Sequence, residues 1–195
     1  MQLIKIITIS GLSGSGKTKL AYSLNKNIKS SYVISLDNYS YTKKYLQEKY
    51  NEIDFSSPQA FNNIQFIEDI INLKKKGSVE IPIFNINTEI VKHLLIKKPE
   101  ILIVEGMFAK LFSENITTID IYVDVDLDIA LIRKIQRDRT EKNRSIELII
   151  EEHLKNTRKN SATVIRQRLD APLVIDNNKN IKEFILNDIY GLIYD

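Results

Sequence analysis

Cysteine and tryptophan are both absent from this chain of 195 residues. Without cysteine the protein has no disulfide, thiolate metal ligand or thiol nucleophile, so a reducing compartment suits it. The net charge is +3, from 28 basic and 25 acidic side chains, which is too balanced to indicate nucleic-acid binding. The apolar run over residues 1–10 is too short to span a membrane and lacks a signal-peptide layout. We therefore expect a cytoplasmic protein with neither a nucleic-acid nor a membrane partner.

Glycine is also scarce, and half of the six glycines fall in residues 10–20, SGLSGSGKTKL. Such a stretch suits either a flexible linker or a phosphate-binding loop. It matches G-x-x-x-x-G-K-[ST], with an apolar run before it and a helical pattern after it. Glycine lets backbone N–H groups turn toward phosphates, the lysine reaches the β- and γ-phosphates, and the threonine hydroxyl binds Mg²⁺. We therefore predict a nucleoside triphosphate site. Its predicted nucleotide-binding residues are Gly11, Ser13, Gly14, Ser15, Gly16, Lys17 and Thr18.

Short apolar runs alternate with longer helical patterns along the chain. The runs are rich in Ile and Val without polar alternation, which is typical of parallel strands buried on both faces. They cover residues 4–9, 32–36, 101–104, 119–125 and 173–175. Helices are expected over 17–29, 58–76, 127–139 and 145–159, and a small hairpin over 79–91 with strands at 79–84 and 87–91. The pattern predicts a single α/β domain over residues 1–195, a P-loop NTPase fold with a doubly wound, mostly parallel five-stranded sheet.

Acidic residues follow two of the predicted strands. Asp37 comes directly after the second run, and Glu105 ends the run ILIVE. The carboxyl ends of parallel strands meet where such folds bind ligands. Asp37 either accepts a proton from an attacking hydroxyl or caps a turn. Glu105 either holds Mg²⁺ together with Thr18 or is a solvated strand end. We favour the chemical roles, with Asp37 and Lys17 catalytic and with Thr18 and Glu105 at the metal.

Basic residues crowd the stretch LIRKIQRDRTEKNRSIE, which begins at Leu131. A solvated charged face is the common explanation for such a stretch. In a protein that transfers a phosphoryl group, the same cations would stabilise the charge that develops on its oxygens, and a closing segment would exclude water. We predict a lid over residues 137–146.

Taken in order, the motifs resemble those of the uridine kinase and phosphoribulokinase family. GLSGSGKT is similar to its P-loop, and LDNYS to its Asp-x-aromatic-Tyr stretch. NEIDFSSPQAFN resembles its Asn-x-Asp-x-Pro-x-Ala-Phe-Asp segment, and IPIFNINTE its Pro-x-Tyr-Asp-Phe hairpin. VEGMF is similar to its Glu-Gly-Ile strand end, and IRKIQRDRTEKNRS to its Arg-Arg-x-x-Arg-Asp lid. The resemblance runs from about residue 4 to residue 176. It implies ATP or GTP and Mg²⁺ as cofactors and a small-molecule hydroxyl as the acceptor.

The resemblance also implies roles for particular residues. Asp37 would be the base on a nucleoside 5′-hydroxyl, and Asp54 would bind the ribose hydroxyls. Arg137 and Arg144 would contact phosphates or substrate from the lid. The family's hairpin Tyr, its base-contacting His, the first lid Arg and a Gln on the following helix are replaced here by Phe84, Glu89, Lys134 and Glu152. The predicted substrate-binding residues are therefore Asp54, Tyr39, Phe84, Glu89, Lys134 and Arg137.

The residues leave three functions open. The first is a kinase acting on a nucleoside, and the second is a kinase for another hydroxylated metabolite such as pantothenate or a sugar derivative. The third is a nucleotide-binding regulator without catalysis. The departures around the acceptor predict altered pyrimidine recognition, and the sequence leaves a homo-oligomer open.

Overall fold

The computed structural model describes residues 4–116, 118–179 and 185–194. Within them, the strands of the main sheet are β1 (Lys5–Gly11), β2 (Ser31–Ser35), β5 (Ile101–Glu105), β6 (Ile119–Asp124) and β7 (Leu173–Asp176). They lie in the order β2-β5-β1-β6-β7, and every pairing is parallel. The predicted five-stranded parallel sheet is therefore confirmed. The order makes β1 the central strand, so the loop that follows it lies at the middle of the sheet's carboxyl edge.

Helices cover both faces of this sheet. They are α1 (Lys17–Asn27), α2 (Lys43–Tyr50), α3 (Asn63–Lys76), α4 (Ala109–Phe112), α5 (Leu127–Lys142), α6 (Ile146–Glu152), α7 (Arg158–Arg166) and α8 (Ile185–Tyr194). Leu20 and Leu24 of α1 pack with Ile7 and Ile9 of β1 in one buried cluster. Buried side chains of α3 belong to the cluster on the opposite face. Strands with both faces covered bury continuous apolar runs, which explains the Ile- and Val-rich pattern of the sequence.

The helices predicted over 17–29 and 127–139 end within three residues of the observed α1 and α5, whereas the other two differ more. The helix predicted over 58–76 begins at Asn63, because Ser57 and Pro58 open a separate 3₁₀ turn, Pro58–Ala60. The Asn62 side chain then accepts a hydrogen bond from the Gln65 N–H and caps α3. The helix predicted over 145–159 is interrupted by a π-helical turn, His153–Thr157, and the chain remains helical to Arg166.

The hairpin is longer than the sequence predicts. β3 (Ser78–Asn85) pairs antiparallel with β4 (Ile90–Lys97) in a separate two-stranded sheet. Every residue of β4 except Ile96 is exposed, so this strand lacks the buried face from which its length could be predicted. None of the helices in the described ranges is long and apolar enough to cross a membrane.

Candidate active site

The loop between β1 and α1 is held in a conformation that its glycines make possible. Gly14 has φ +90°, and a Cβ there would lie 2.2 Å from the carbonyl oxygen of Ala130. Gly16 has φ +96° and would meet the side chain of Asn177 at 2.6 Å. Asn177 Nδ2 in turn donates to the Ser15 carbonyl at 2.6 Å. Ala130 of α5 and Asn177, which follows β7, thus hold the loop at the N-terminus of α1, where backbone N–H groups can bind phosphates.

Lys17 begins α1, and its side chain is only 9% exposed. Its Nζ lies 3.5 Å from the Leu12 carbonyl oxygen. Burial lowers the pKa of Lys17, whereas the carboxylates of Glu105 and Asp37 act in the opposite direction. A buried cation facing two carboxylates suits an anionic ligand such as a triphosphate, because the ligand would supply charge compensation.

Thr18 and Glu105 lie side by side at the ends of α1 and β5. The Thr18 hydroxyl donates to Glu105 Oε2 at 2.9 Å, and the Ser35 hydroxyl donates to Oε1 at 2.6 Å. Glu105 is only 4% exposed. A hydroxyl and a carboxylate are hard oxygen ligands, which fits Mg²⁺ coordinated partly by nucleotide phosphates. Such a site needs no cluster of three or more acidic, His or Cys side chains, and the part of the chain that the structure describes contains none.

Two cavities meet beside these residues. The larger has a volume of about 530 Å³ and runs from the P-loop along α1 to Arg133 of α5. The smaller has a volume of about 150 Å³ and lies between the lid, the hairpin turn and residues 55–61. A third cavity of about 570 Å³, between α4 and α7, contains none of the phosphate-site residues. The walls of the first two share five residues, which are Lys17, Thr18, Asp37, Arg137 and Lys142.

Asp37 lies on the 3₁₀ turn that follows β2, and its side chain is exposed. It forms part of the wall of both cavities. The geometry therefore places a carboxylate where a group bound in one cavity would meet a group bound in the other. The backbone carbonyl of Asp37 accepts from Ser40, which leaves the carboxylate uninvolved in that turn contact.

The lid cations reach the smaller cavity in ion pairs. Arg137 Nε donates to Asp138 Oδ1 at 2.8 Å, and its Nη2 lies 3.4 Å from the Ser13 hydroxyl. Arg144 Nη2 lies 2.5 Å from Glu152, and Lys134 Nζ lies 2.9 Å from the same carboxylate. Burial by itself would raise the pKa of Glu152, but the charges of Lys134 and Arg144 and their hydrogen bonds hold it below its usual value.

Asp54 lies away from the cavity on which the sequence-based hypothesis placed it. Its carboxylate is 5% exposed, accepts from the Ser56 N–H and from Asn160 Nδ2 at 2.8 Å each, and lies 3.5 Å from Lys159. These contacts fasten residues 51–57 to α7. Ser56 lines the smaller cavity instead. Counted back from Pro58, the family pattern Asn-x-Asp-x-Pro also puts its Asp at Ser56, so the assignment of ribose contacts to Asp54 is corrected here.

Three other predicted substrate-binding residues are absent from both cavity walls. Tyr39 is buried in the core, and its hydroxyl donates to Asp69 at 3.0 Å. Phe84 pairs with Val91 inside the hairpin. Glu89 accepts from the Lys43 N–H at 3.1 Å and so ties the hairpin turn to the start of α2. The structure therefore does not bring these three residues to the two cavities, and their substrate-binding roles stay predictions.

Sequence reasoning missed part of the smaller cavity. The residues that it did not assign to the site are Ser40, Phe55, Ser56, Phe61, Ile86, Met107, Asp138, Lys142 and Glu152. Most of them lie within motifs quoted above, as Met107 does in VEGMF and Ile86 in IPIFNINTE. The motifs did not show which side chains would face the cavity, because that depends on how the hairpin and the lid fold over it.

The comparisons with known proteins agree with this geometry. The model of the phosphoribulokinase / uridine kinase family matches residues 6–182. The uridine kinase of Borreliella burgdorferi (strain ZS7) is 33% identical over 160 residues, which are 80% of this chain and 78% of the relative. A possible uridine kinase from Bacillus stearothermophilus has a TM-score of 0.68 at 15% identity, and the match covers 90% of each chain. Phosphoribulokinase from Rhodobacter spheroides has a TM-score of 0.58 at 14% identity, covering 90% of this chain and 71% of that one. The two structures share the fold.

Proposed function

Because the chain belongs to the phosphoribulokinase / uridine kinase family, we propose that it transfers the γ-phosphoryl group of ATP to a hydroxyl group of a small molecule. The observation on which the proposal rests is the junction of the two cavities, where Lys17 and Asp37 share both walls. A donor in the larger cavity and an acceptor in the smaller one would face each other there, which is the arrangement that in-line transfer requires.

Each residue at the junction has a role in the proposed reaction. The P-loop N–H groups and Lys17 bind the donor's phosphates. Thr18 and Glu105 would hold Mg²⁺, which when bound neutralises phosphate charge. Asp37 takes the proton of the acceptor hydroxyl while the oxygen of that hydroxyl forms the new bond to the γ-phosphorus. The bond between the γ-phosphorus and the bridging oxygen breaks, and ADP leaves with that oxygen's electron pair. Arg137 and Arg144 stabilise the charge on the transferred group.

A nucleoside is the first candidate acceptor, because the curated relatives with 33% identity are uridine kinases. The second candidate is another hydroxylated metabolite, such as pantothenate or a sugar derivative. The contacts of Asp54 support this second candidate. The Asp54 carboxylate is hydrogen-bonded to α7, and Ser56 lies at the cavity wall where the carboxylate was expected. A serine has a single uncharged oxygen, so it lacks the two charged oxygens with which a carboxylate accepts from both hydroxyls of a ribose.

An ADP-production assay tests the proposal. ATP and Mg²⁺ are supplied with uridine, cytidine, adenosine, guanosine, pantothenate or a sugar, and turnover should depend on one of these acceptors. Asp37→Asn should lower kcat by about 10²–10⁴ because the amide cannot accept the proton, while calorimetry should show that ATP still binds. If the wild type binds ATP but no acceptor raises ADP production, the chain is a nucleotide-binding regulator and the proposal fails. A change in kcat of less than about fivefold in Asp37→Asn would make Asp37 a turn residue.

A further inference from the structure

Asp138 is a buried carboxylate surrounded by cations of the lid. It is only 1% exposed, although it lies on the wall of the smaller cavity. Its Oδ1 lies 2.8 Å from both Nε and Nη2 of Arg137 and 3.4 Å from Lys142 Nζ. Its Oδ2 lies 3.7 Å from Arg144 Nη1. One carboxylate thus contacts three cations from separate positions along the lid.

The backbone of Asp138 organises the same segment. Its carbonyl oxygen accepts from the N–H groups of Asn143 and Arg144, and this pair of bonds ends α5. Asn143 takes the left-handed conformation, with φ +50°, and turns the chain back so that the Arg144 side chain lies beside the carboxylate. Asp138 therefore sets both the point at which the helix stops and the direction in which the next cation returns.

The chemical setting indicates that the carboxylate stays ionised. Burial alone would raise the pKa of Asp138, but its hydrogen bond to Arg137 and the charges of Arg137, Lys142 and Lys134 outweigh burial and hold the pKa below its usual value. An acid is disfavoured near a helix C-terminus, where the helix dipole attracts cations. Its presence there, buried among basic side chains, suits a part in arranging those side chains.

We propose that Asp138 is a positioning residue that holds Arg137, Lys142 and Arg144 at the junction of the two cavities. Arg137 and Lys142 line both cavities, and Arg144 lines the smaller one. Without a central anion these cations would repel one another and turn toward solvent. With it, they stay where charge develops during phosphoryl transfer, and no reorganisation is needed at that moment. This inference rests on the proposed function, but its effect on the charge of the nucleotide site does not require turnover.

Asp138→Asn tests the inference, because the amide keeps the size of the side chain and removes its charge. Displacement of the lid cations should lower kcat by up to about 100-fold. The affinity for ATP, measured by calorimetry without acceptor, should stay within about threefold or improve, since Lys17 and the P-loop are unchanged and the protein has gained one net positive charge. For the same reason ATP binding should weaken more steeply with added salt than in the wild type. Asp138→Glu, which restores the charge, should return the salt dependence to the wild-type slope.

Asp69→Asn is the matched control. Asp69 is a carboxylate of α3 that is 3% exposed, accepts from Tyr39 and Gln65, and lines neither cavity of the active site. Asp69→Asn should change thermal stability. It should not lower kcat while leaving the ATP affinity intact, and it should not change the salt dependence of ATP binding. If Asp138→Asn behaves like this control, the positioning role is wrong. If Asp138→Asn does not fold, Asp138→Glu decides alone: a salt dependence of ATP binding that differs from that of the wild type overturns the inference. If the wild type shows no turnover with any acceptor, the proposed function fails, while an altered salt dependence in Asp138→Asn still supports the lid arrangement.

Discussion

Lys17 illustrates how a single buried charge depends on its neighbours. Removal from water disfavours the ammonium form and lowers the pKa of Lys17, and the charges of Glu105 and Asp37 counter this only in part. Because the folded-state pKa lies below the unfolded one, the protonated lysine destabilises the native state at pH values below the folded pKa. This cost decreases as pH rises above the folded pKa and is gone above the unfolded pKa. The charge that binds phosphate is lost as pH passes through the folded pKa.

The first prediction concerns the pH dependence of ATP binding. The affinity should begin to fall on the alkaline side at a pH below 10.5, the ordinary pKa of a lysine, because Lys17 deprotonates early. Calorimetry of ATP binding between neutral and alkaline pH measures the break. Lys17→Arg is the control, since a guanidinium stays charged throughout this range; its weaker binding should not show the break. The same break in Lys17→Arg would assign the titration to another group.

The residues of the phosphate site could be predicted from the sequence, whereas those lining the smaller cavity could be predicted only in part, as Lys134, Arg137 and Arg144 were. Gly11 to Thr18 form one continuous motif, and Glu105 ends a strand whose apolar run is visible without a structure. The acceptor cavity instead combines side chains from separate segments, such as Phe55, Ile86 and Met107. Their meeting depends on the packing of the hairpin and the lid, and no local periodicity encodes it. The functional roles of all these residues remain predictions.

The hairpin contributes its turn to the wall of the smaller cavity, the proposed acceptor site. Ile86, in its turn, lines that cavity, whereas the strands on either side do not. The turn is fastened to α2 through Glu89, whose Oε2 accepts from the Lys43 N–H and whose Oε1 lies 3.5 Å from Lys43 Nζ. A carboxylate at a helix N-terminus is also favoured by the helix dipole. Glu89 therefore affects the acceptor by fixing the position of Ile86.

The second prediction is that Ile86→Ala impairs acceptor use alone. Removing the side chain takes apolar contact from the acceptor and opens its cavity, so KM for the acceptor should rise about tenfold or more. KM for ATP should not change, because Ile86 is absent from the wall of the larger cavity. Steady-state kinetics with each substrate varied in turn separates the two constants. Ile90→Ala is the matched control, since Ile90 belongs to the same hairpin, is 55% exposed and lines neither cavity. Equal effects of the two variants would show that the hairpin acts only through its stability.

At the scale of the whole molecule, the parallel sheet brings the carboxyl ends of β1, β2 and β5 to one edge. The P-loop follows β1, the turn with Asp37 follows β2, and Glu105 ends β5. These strands are neighbours in the order β2-β5-β1, so groups that are far apart in sequence share one side of the protein. Gly14 lies against Ala130 at the start of α5, and Arg137 and Lys142 near the end of the same helix line both cavities. The proposed donor and acceptor sites thus lie next to each other along this edge of the sheet.

This arrangement predicts that one molecule can occupy both cavities. A bisubstrate compound in which adenosine is joined through four phosphates to the 5′-oxygen of the accepted nucleoside should bind at least about tenfold more tightly than ATP, because linking two fitting parts makes the second binding step intramolecular. Adenosine 5′-tetraphosphate is the control, since it has the same bridge without the acceptor and should lack this gain. Ile86→Ala should reduce the gain, because Ile86 contacts only the acceptor end, while Lys17→Ala should abolish binding of both compounds. Calorimetry measures each of these affinities. Equal affinities of the bisubstrate compound and adenosine 5′-tetraphosphate for the wild type would contradict the junction of the two cavities as the place where the phosphoryl group is transferred.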